Sequence, residues 1–231
     1  MKIAIMGAMP EEIAPILEHL EDVKEVSYAK NRYYEAKYKG IDLVVAYSKI
    51  GKVFSTLTAT TLLEHFECDR LLFSGVAGAI SPDLKIGDLV IATKLAQHDL
   101  DITAFGHPHG FVPEGSVFIE SDKKMLEMAK EVALEMKKEV REGIIATGCQ
   151  FIADADKKNW IGKTFGADAL EMEGASVAVV CDALKVPFFI LRAISDAADM
   201  DASFSFDEFL ETSAVESATF IMKMVDKLVE K

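Results

Sequence analysis

The feature that most constrains this chain is a series of short segments that are apolar on both faces. Ile3-Ala4-Ile5-Met6 and Phe188-Phe189-Ile190-Leu191 carry no alternating polar residue. A strand with one face in water shows that alternation, so these segments predict a sheet covered on both sides. Strands are expected at Lys2–Met6, Tyr33–Tyr38, Ile41–Tyr47, Arg70–Ser74, Asp88–Ala96, Gly143–Thr147, Ala169–Met172 and Phe188–Ala193. Lys39-Gly40, between Tyr38 and Ile41, has the composition of a hairpin turn, which makes part of the sheet antiparallel.

Between the strands lie one-sided helices. Met125, Ala129, Val132, Ala133 and Met136 recur at helical spacing, as do Phe206, Phe209, Leu210, Ala214, Ala218, Ile221, Met222, Val225 and Leu228. Ser205 followed by Glu208 is a capping-box pattern and predicts that the last helix starts there. Alternating strands and one-sided helices give an α/β fold, a three-layer α/β/α sandwich around a mixed central sheet. No linker composition or repeat divides the 231 residues, so residues 1–231 read as a single domain.

Several function classes are disfavoured. A formal net charge of −13 repels phosphate backbones, and no basic patch offsets it, so nucleic acid is not an expected partner. The longest apolar runs are too short to span a bilayer, and Lys2–Met6 lacks the regions of a signal peptide. Cys68, Cys149 and Cys181 form no Cys-x-x-Cys pair and read as reduced thiols of a cytoplasmic protein. His107-Pro108-His109 has no acid or cysteine at ligand spacing, so no metal is expected. No Gly-x-Ser-x-Gly elbow supports a serine nucleophile.

In sheets of this kind ligands bind beyond the carboxyl ends of strands. That rule directs attention to Gly7–Glu12, Gly75–Ala79, Phe151-Ile152, Glu171–Gly174 and Ser195-Asp196. Gly7–Glu12 lacks a dinucleotide glycine pattern, and its two glutamates are hostile to phosphate, although acids also suit a helix start. The glycines of Ser74-Gly75-Val76-Ala77-Gly78 would let backbone approach a ligand closely. Glu171 and Glu173 precede an almost wholly apolar helix, where carboxylates are costly unless paired or hydrogen-bonded. Asp196, at the end of an apolar strand, would be partly desolvated, which raises a carboxyl pKa and suits it to donate a proton; an Arg192–Asp196 ion pair is the alternative.

Taken in order, Gly7-Ala8-Met9 with Glu11-Glu12, Ser48-Lys49-Ile50-Gly51-Lys52, Gly75-Val76-Ala77-Gly78, Asp101-Ile102-Thr103-Ala104-Phe105-Gly106, Glu171-Met172-Glu173-Gly174 and Arg192-Ala193-Ile194-Ser195-Asp196 resemble the 5′-methylthioadenosine/S-adenosylhomocysteine nucleosidases. The resemblance runs from Lys2 to the last helix. These enzymes belong to the purine nucleoside phosphorylase superfamily, which implies a nucleoside phosphorylase-like fold.

The resemblance implies a hydrolase that releases adenine from 5′-substituted adenosines without a cofactor. Asp196 would protonate adenine N7, Glu12 would activate water and Glu173 would hold the ribose hydroxyls. Met172 would lie beneath the sugar, Phe151 would stack on adenine, and the Ile152 backbone would read the adenine edge. Met9, Ile50, Val76, Ser195 and Phe206 would complete the pocket. Family members are homodimers, so Phe105 and Pro113 would close the neighbouring site. The segments Ser48–Lys52 and His107–Gly110 look more like members acting on 6-amino-6-deoxyfutalosine. Two other readings stay open here, a purine nucleoside phosphorylase and a non-catalytic nucleoside sensor.

Overall fold

The computed structural model of the chain describes residues 1–198 and 202–230. Its strands are β1 (Lys2–Gly7), β2 (Glu21–Tyr28), β3 (Asn31–Tyr38), β4 (Ile41–Tyr47), β5 (Arg70–Phe73), β6 (Val76–Ala79), β7 (Leu89–Gln97), β8 (Ile119–Glu120), β9 (Val140–Thr147), β10 (Ala169–Glu171) and β11 (Phe188–Asp196). The α-helices are α1 (Pro10–Leu17), α2 (Lys52–Thr60), α3 (Lys123–Met136), α4 (Ala155–Phe165), α5 (Gly174–Leu184) and α6 (Ala202–Val229). The strands form one mixed sheet in the order β2-β3-β4-β1-β5-β11-β6-β10-β9-β7-β8.

Continuous apolar strands feed two cores, one on each face. Ala4 and Met6 of β1 enter the same core as Val44, Phe73 and Ile190, while Ile3 and Ile5 enter the other with Val45, Leu72 and Phe189. Period-two geometry sends neighbours to opposite faces, so a strand apolar at every position needs helices on both sides. α5 covers the first core, and α1, α3 and α6 cover the second. This is the expected three-layer arrangement.

The Lys39-Gly40 turn joins antiparallel β3 and β4, with positive φ at both residues (47° and 82°), as a twisted two-residue hairpin requires. β2 was not anticipated. It is an edge strand rich in charge and mostly exposed, so it lacks the apolar signature of the buried strands.

β11 organises the sheet. All nine of its residues are buried. Phe188–Ile190 pair with β5, Leu191–Ala193 pair antiparallel with β7, and Ala193–Asp196 pair with β6. Because β11 contacts both β6 and β7, the strands β11, β6, β10, β9 and β7 close into a ring. Val76–Ala79, placed by the sequence reading beyond the end of the preceding strand, is itself a strand, paired with β11 on one side and β10 on the other.

The last helix is already formed at Ala202, upstream of the start expected at Ser205. Ala202 is fully buried, and packing that strong helix former outweighs the capping preference of Ser205. No helix among the described residues is long and apolar enough to cross a membrane.

Phe189 of β11 stacks on Phe220 of α6, with ring centroids 6.4 Å apart. Truncation there leaves a cavity between sheet and helix. Phe189→Ala is expected to lower unfolding free energy by about 3–5 kcal/mol, read from urea titration.

Candidate active site

Glu12 is built into the turn between β1 and α1. Pro10 opens the helix, leaving Glu11 exposed and turning Glu12 inward, where it is 2% exposed. Its carboxylate accepts hydrogen bonds from Ala8 N (2.5 Å) and Met9 N (3.1 Å) on one oxygen and from Val76 N (3.0 Å) on the other. Burial raises its pKa, and the charge of Arg192 together with the three backbone donors offsets part of that rise.

Gly75, in the β5–β6 break, and Gly78, within β6, have a purpose that the sequence alone does not reveal. A Cβ at Gly75 would lie 2.8 Å from Glu12 Oε1, and one at Gly78 would lie 2.7 Å from Asp196 Oδ1. The glycines make room for carboxylates of the protein itself.

Asp196 ends β11 where the register with β6 slips between Ile194 and Asp196, a bulge that re-aims the side chain. Ser195 Oγ donates to its Oδ2 (3.0 Å), and Ala198 N donates to its Oδ1 (2.8 Å). Arg192 does not take up the expected ion pair with Asp196. Four residues of extended β11 set the two about 13 Å apart, and the Arg192 guanidinium pairs instead with Glu171 at 2.8 Å, both being buried.

Glu171, read from the sequence as an acid that needs pairing or hydrogen bonds, is a junction. Besides Arg192 it accepts from Glu173 N (3.1 Å), Gly174 N (2.7 Å) and Thr147 Oγ1 (2.5 Å). Through these bonds it caps α5 and fixes the backbone of Glu173. The Glu173 carboxyl accepts from Gly51 N at 2.7 Å. Burial, then the charge of Glu171, pushes its pKa up to about 8, while Gly51 N–H and Arg192 pull the other way.

These groups line a cavity of about 380 Å³. Glu12, Glu173 and Asp196 meet there with Met9, Ile50, Val76, Phe151, Ile152, Met172, Ser195 and Phe206. The carboxyl ends of β1 and β11 thus converge with those of β9 and β10, which run the opposite way across the ring. Phe151 and Phe206 meet edge to face at 5.7 Å. Glu171 lines it too, and Gln150, Ser203 and Asp207 are further lining residues that the sequence reading did not single out. Among the described residues the lining holds no Lys or Arg.

Phe105 and Pro113 lie outside this cavity on the surface, Phe105 being 81% exposed. His107 stacks on Phe111 and His109 meets Trp160 edge-on. No group of three or more His, Cys, Asp or Glu among the described residues could hold a metal ion.

This geometry can be compared with known proteins. Residues 2–230 match the phosphorylase superfamily. The chain belongs to that superfamily. An aminodeoxyfutalosine nucleosidase of Campylobacter jejuni is 61% identical over 228 residues, covering 99% of this chain and 100% of the relative. A 5′-methylthioadenosine/S-adenosylhomocysteine nucleosidase of Haemophilus influenzae is 38% identical, with 99% and 100% covered. The solved structure of the futalosine hydrolase of Helicobacter pylori superposes with a TM-score of 0.97 at 50% identity, covering 98% of this chain and 97% of that one. The nucleoside phosphorylase-like fold read from the sequence is thus the fold of this superfamily.

Glu173 links the site to stability. Its folded pKa of about 8 lies above its ordinary 4.5, so between those values the folded chain holds a proton that the unfolded chain releases. Stability from this group is present at low pH and is lost as pH rises through that window. Glu173→Gln is therefore expected to gain thermal stability relative to the wild type between pH 5.5 and pH 8.5, by roughly the linkage expected for one carboxyl. A melting-temperature difference independent of pH would contradict the assignment.

Proposed function

We propose that the chain is a nucleosidase that hydrolyses the N-glycosidic bond of 5′-substituted adenosines, with water as nucleophile, and releases adenine. The observation that carries this reading is a mostly apolar cavity lined by Glu12, Glu171, Glu173, Asp196 and Asp207 and by no Lys or Arg among the described residues. An anionic nucleophile such as phosphate would meet like charge there, whereas a ribosyl cation developing in the transition state would meet opposite charge. The names carried by the relatives support the same chemistry.

Each carboxyl has a task that suits its surroundings. Asp196 protonates adenine N7, so the base departs neutral, and Ser195 orients the acid. Glu12 takes a proton from water. Its raised pKa makes it a stronger base than an exposed carboxylate, and three backbone donors hold it in one orientation. Glu173 binds the ribose hydroxyls above Met172. Phe151 stacks on adenine while the Ile152 backbone reads the adenine edge, and Met9, Ile50, Val76 and Phe206 enclose the remainder.

The 5′ groups served include those of 5′-methylthioadenosine, S-adenosylhomocysteine, 5′-deoxyadenosine and 6-amino-6-deoxyfutalosine. The relative at 61% identity bears the name of an aminodeoxyfutalosine nucleosidase, which favours the last of these. The whole chain works as one nucleosidase domain in the cytoplasm, in keeping with three free thiols. It needs no cofactor.

A homodimer completes the site. Val53, Phe54 and Leu57 of α2 and the neighbouring Ile50 are all exposed, an apolar strip that one copy alone leaves in water. Phe105 and Pro113 of one copy reach the 5′ end of the other copy's pocket.

Adenine release in phosphate-free buffer, followed by chromatography, tests the reaction. The wild type is expected to turn over without phosphate, and Asp196→Asn to lose at least about 100-fold in kcat, the usual yield of a general acid. A requirement for phosphate would favour a phosphorylase, and binding without turnover would favour a sensor. Analytical ultracentrifugation is expected to give dimers. Phe105→Ala should raise KM by about tenfold, the worth of one apolar contact to the 5′ group. Fully active monomers would refute the shared site.

A further inference from the structure

Lys52 and Asp99 do not line the cavity, yet they join the segments that do. Lys52 Nζ lies 2.5 Å from Asp99 Oδ1 and donates to Gln97 Oε1 at 3.0 Å. The second oxygen of Asp99 accepts from Cys149 N at 2.8 Å, and Lys52 N donates to Cys149 Sγ at 3.4 Å. Both side chains are about four-fifths buried. One residue before Lys52, Gly51 N donates to Glu173. Two residues after Cys149 stands Phe151. A single ion pair therefore connects the N-terminus of α2, the end of β7 and the loop that follows β9.

That loop needs an external fastening. Gly148–Asp154 is irregular, so no strand ladder or helix holds it. Gly148 N–H is bonded to the Glu171 carbonyl, and Cys149 N–H is bonded to Asp99. Below the loop, the buried His98 ring presses so closely that a Cβ at Gly148 would come within 2.3 Å of it. The loop can settle no lower, and Asp99 keeps it from lifting. Burial would raise the Asp99 pKa, but the Lys52 and Cys149 hydrogen bonds outweigh that and hold it below the usual value, which favours the ionised carboxylate.

We propose that the Lys52–Asp99 pair is a positioning clasp that fixes the distance between the base-stacking loop, Gly148–Ile152, and the sugar-binding carboxylate, Glu173. The inference rests on the nucleosidase reading above, because it assigns the loop to adenine and Glu173 to ribose. A nucleoside bridges these two elements, so the spacing between them decides whether both ends of the substrate bind at once. Neither residue touches substrate.

The test is steady-state kinetics of adenine release from 5′-methylthioadenosine with Asp99→Ala, Asp99→Asn, Lys52→Met and the Asp99→Ala/Lys52→Met double variant. Loss of a positioning contact is expected to raise KM by about tenfold in Asp99→Ala and Lys52→Met while kcat stays within about threefold. Asp99→Asn keeps an acceptor for Cys149 N and is expected to be intermediate. Because the two residues act as one unit, the double variant should be no worse than Asp99→Ala. A KM at the wild-type value in every variant would overturn the clasp. So would a fall in kcat at unchanged KM with a lowered melting temperature, the mark of a partly unfolded population. Should Asp99→Ala fail to fold, Asp99→Asn and Lys52→Met carry the same test. A wild-type chain that releases no adenine would instead refute the nucleosidase reading, and the clasp with it.

Discussion

The buried pair between Arg192 and Glu171 is the interaction on which the rest of the site depends. Arg192 belongs to β11, and its guanidinium lies 4.0 Å from the centre of the Phe73 ring at the end of β5 while donating to the Phe73 and Leu191 carbonyls. Glu171 ends β10, and its remaining acceptor capacity goes to Thr147 of β9 and to the first amides of α5. Two charges removed from water are expensive, and such a pair seldom adds net stability over an apolar replacement. What it contributes is fixed geometry. Removing either partner would strand a buried charge, so β5, β9, β10, β11 and α5 are held to one arrangement.

That arrangement explains how carboxylates come to share a mostly apolar cavity. A buried acid would ordinarily be driven neutral or outward, and here each is held by donors from a different element: Glu12 by the β1–α1 turn and Val76, Glu173 by Gly51, Asp196 by Ser195 and Ala198. Arg192 adds a positive charge that favours the ionised forms of Glu12 and Glu173 without standing among the residues that line the cavity. Burial works against it and dominates. The outcome is a pair of carboxyls with pKa values raised from the ordinary range, the property that acid–base chemistry near neutral pH requires.

The glycines show that a close-approach pattern can answer a demand from within the protein itself. Ser74-Gly75-Val76-Ala77-Gly78 signals a close approach, and the expected visitor was a ligand. Glu12 and Asp196 are visitors from elsewhere in the protein: Glu12 accepts from Val76 across 64 positions of the chain, and Asp196 comes from another strand. Nothing local in the motif reports that. In the same way, Ser205 and Glu208 have the local chemistry of a helix start, but the chain is already helical upstream of them at the buried Ala202.

The sequence by itself determined the covered sheet, because strands apolar at every position cannot face water, and it determined the hairpin at Lys39-Gly40, because that turn needs its residues locally. It also supplied Glu12, Glu173 and Asp196, since acids after apolar strands are conspicuous against their surroundings. Only the tertiary structure decided the closure of β11 on both β6 and β7, the choice of Glu171 over Asp196 as partner of Arg192, and the link from Lys52 through Asp99 to Cys149. These are contacts between residues distant in the chain. Their energies depend on which faces meet after folding, and no spacing along the sequence encodes that.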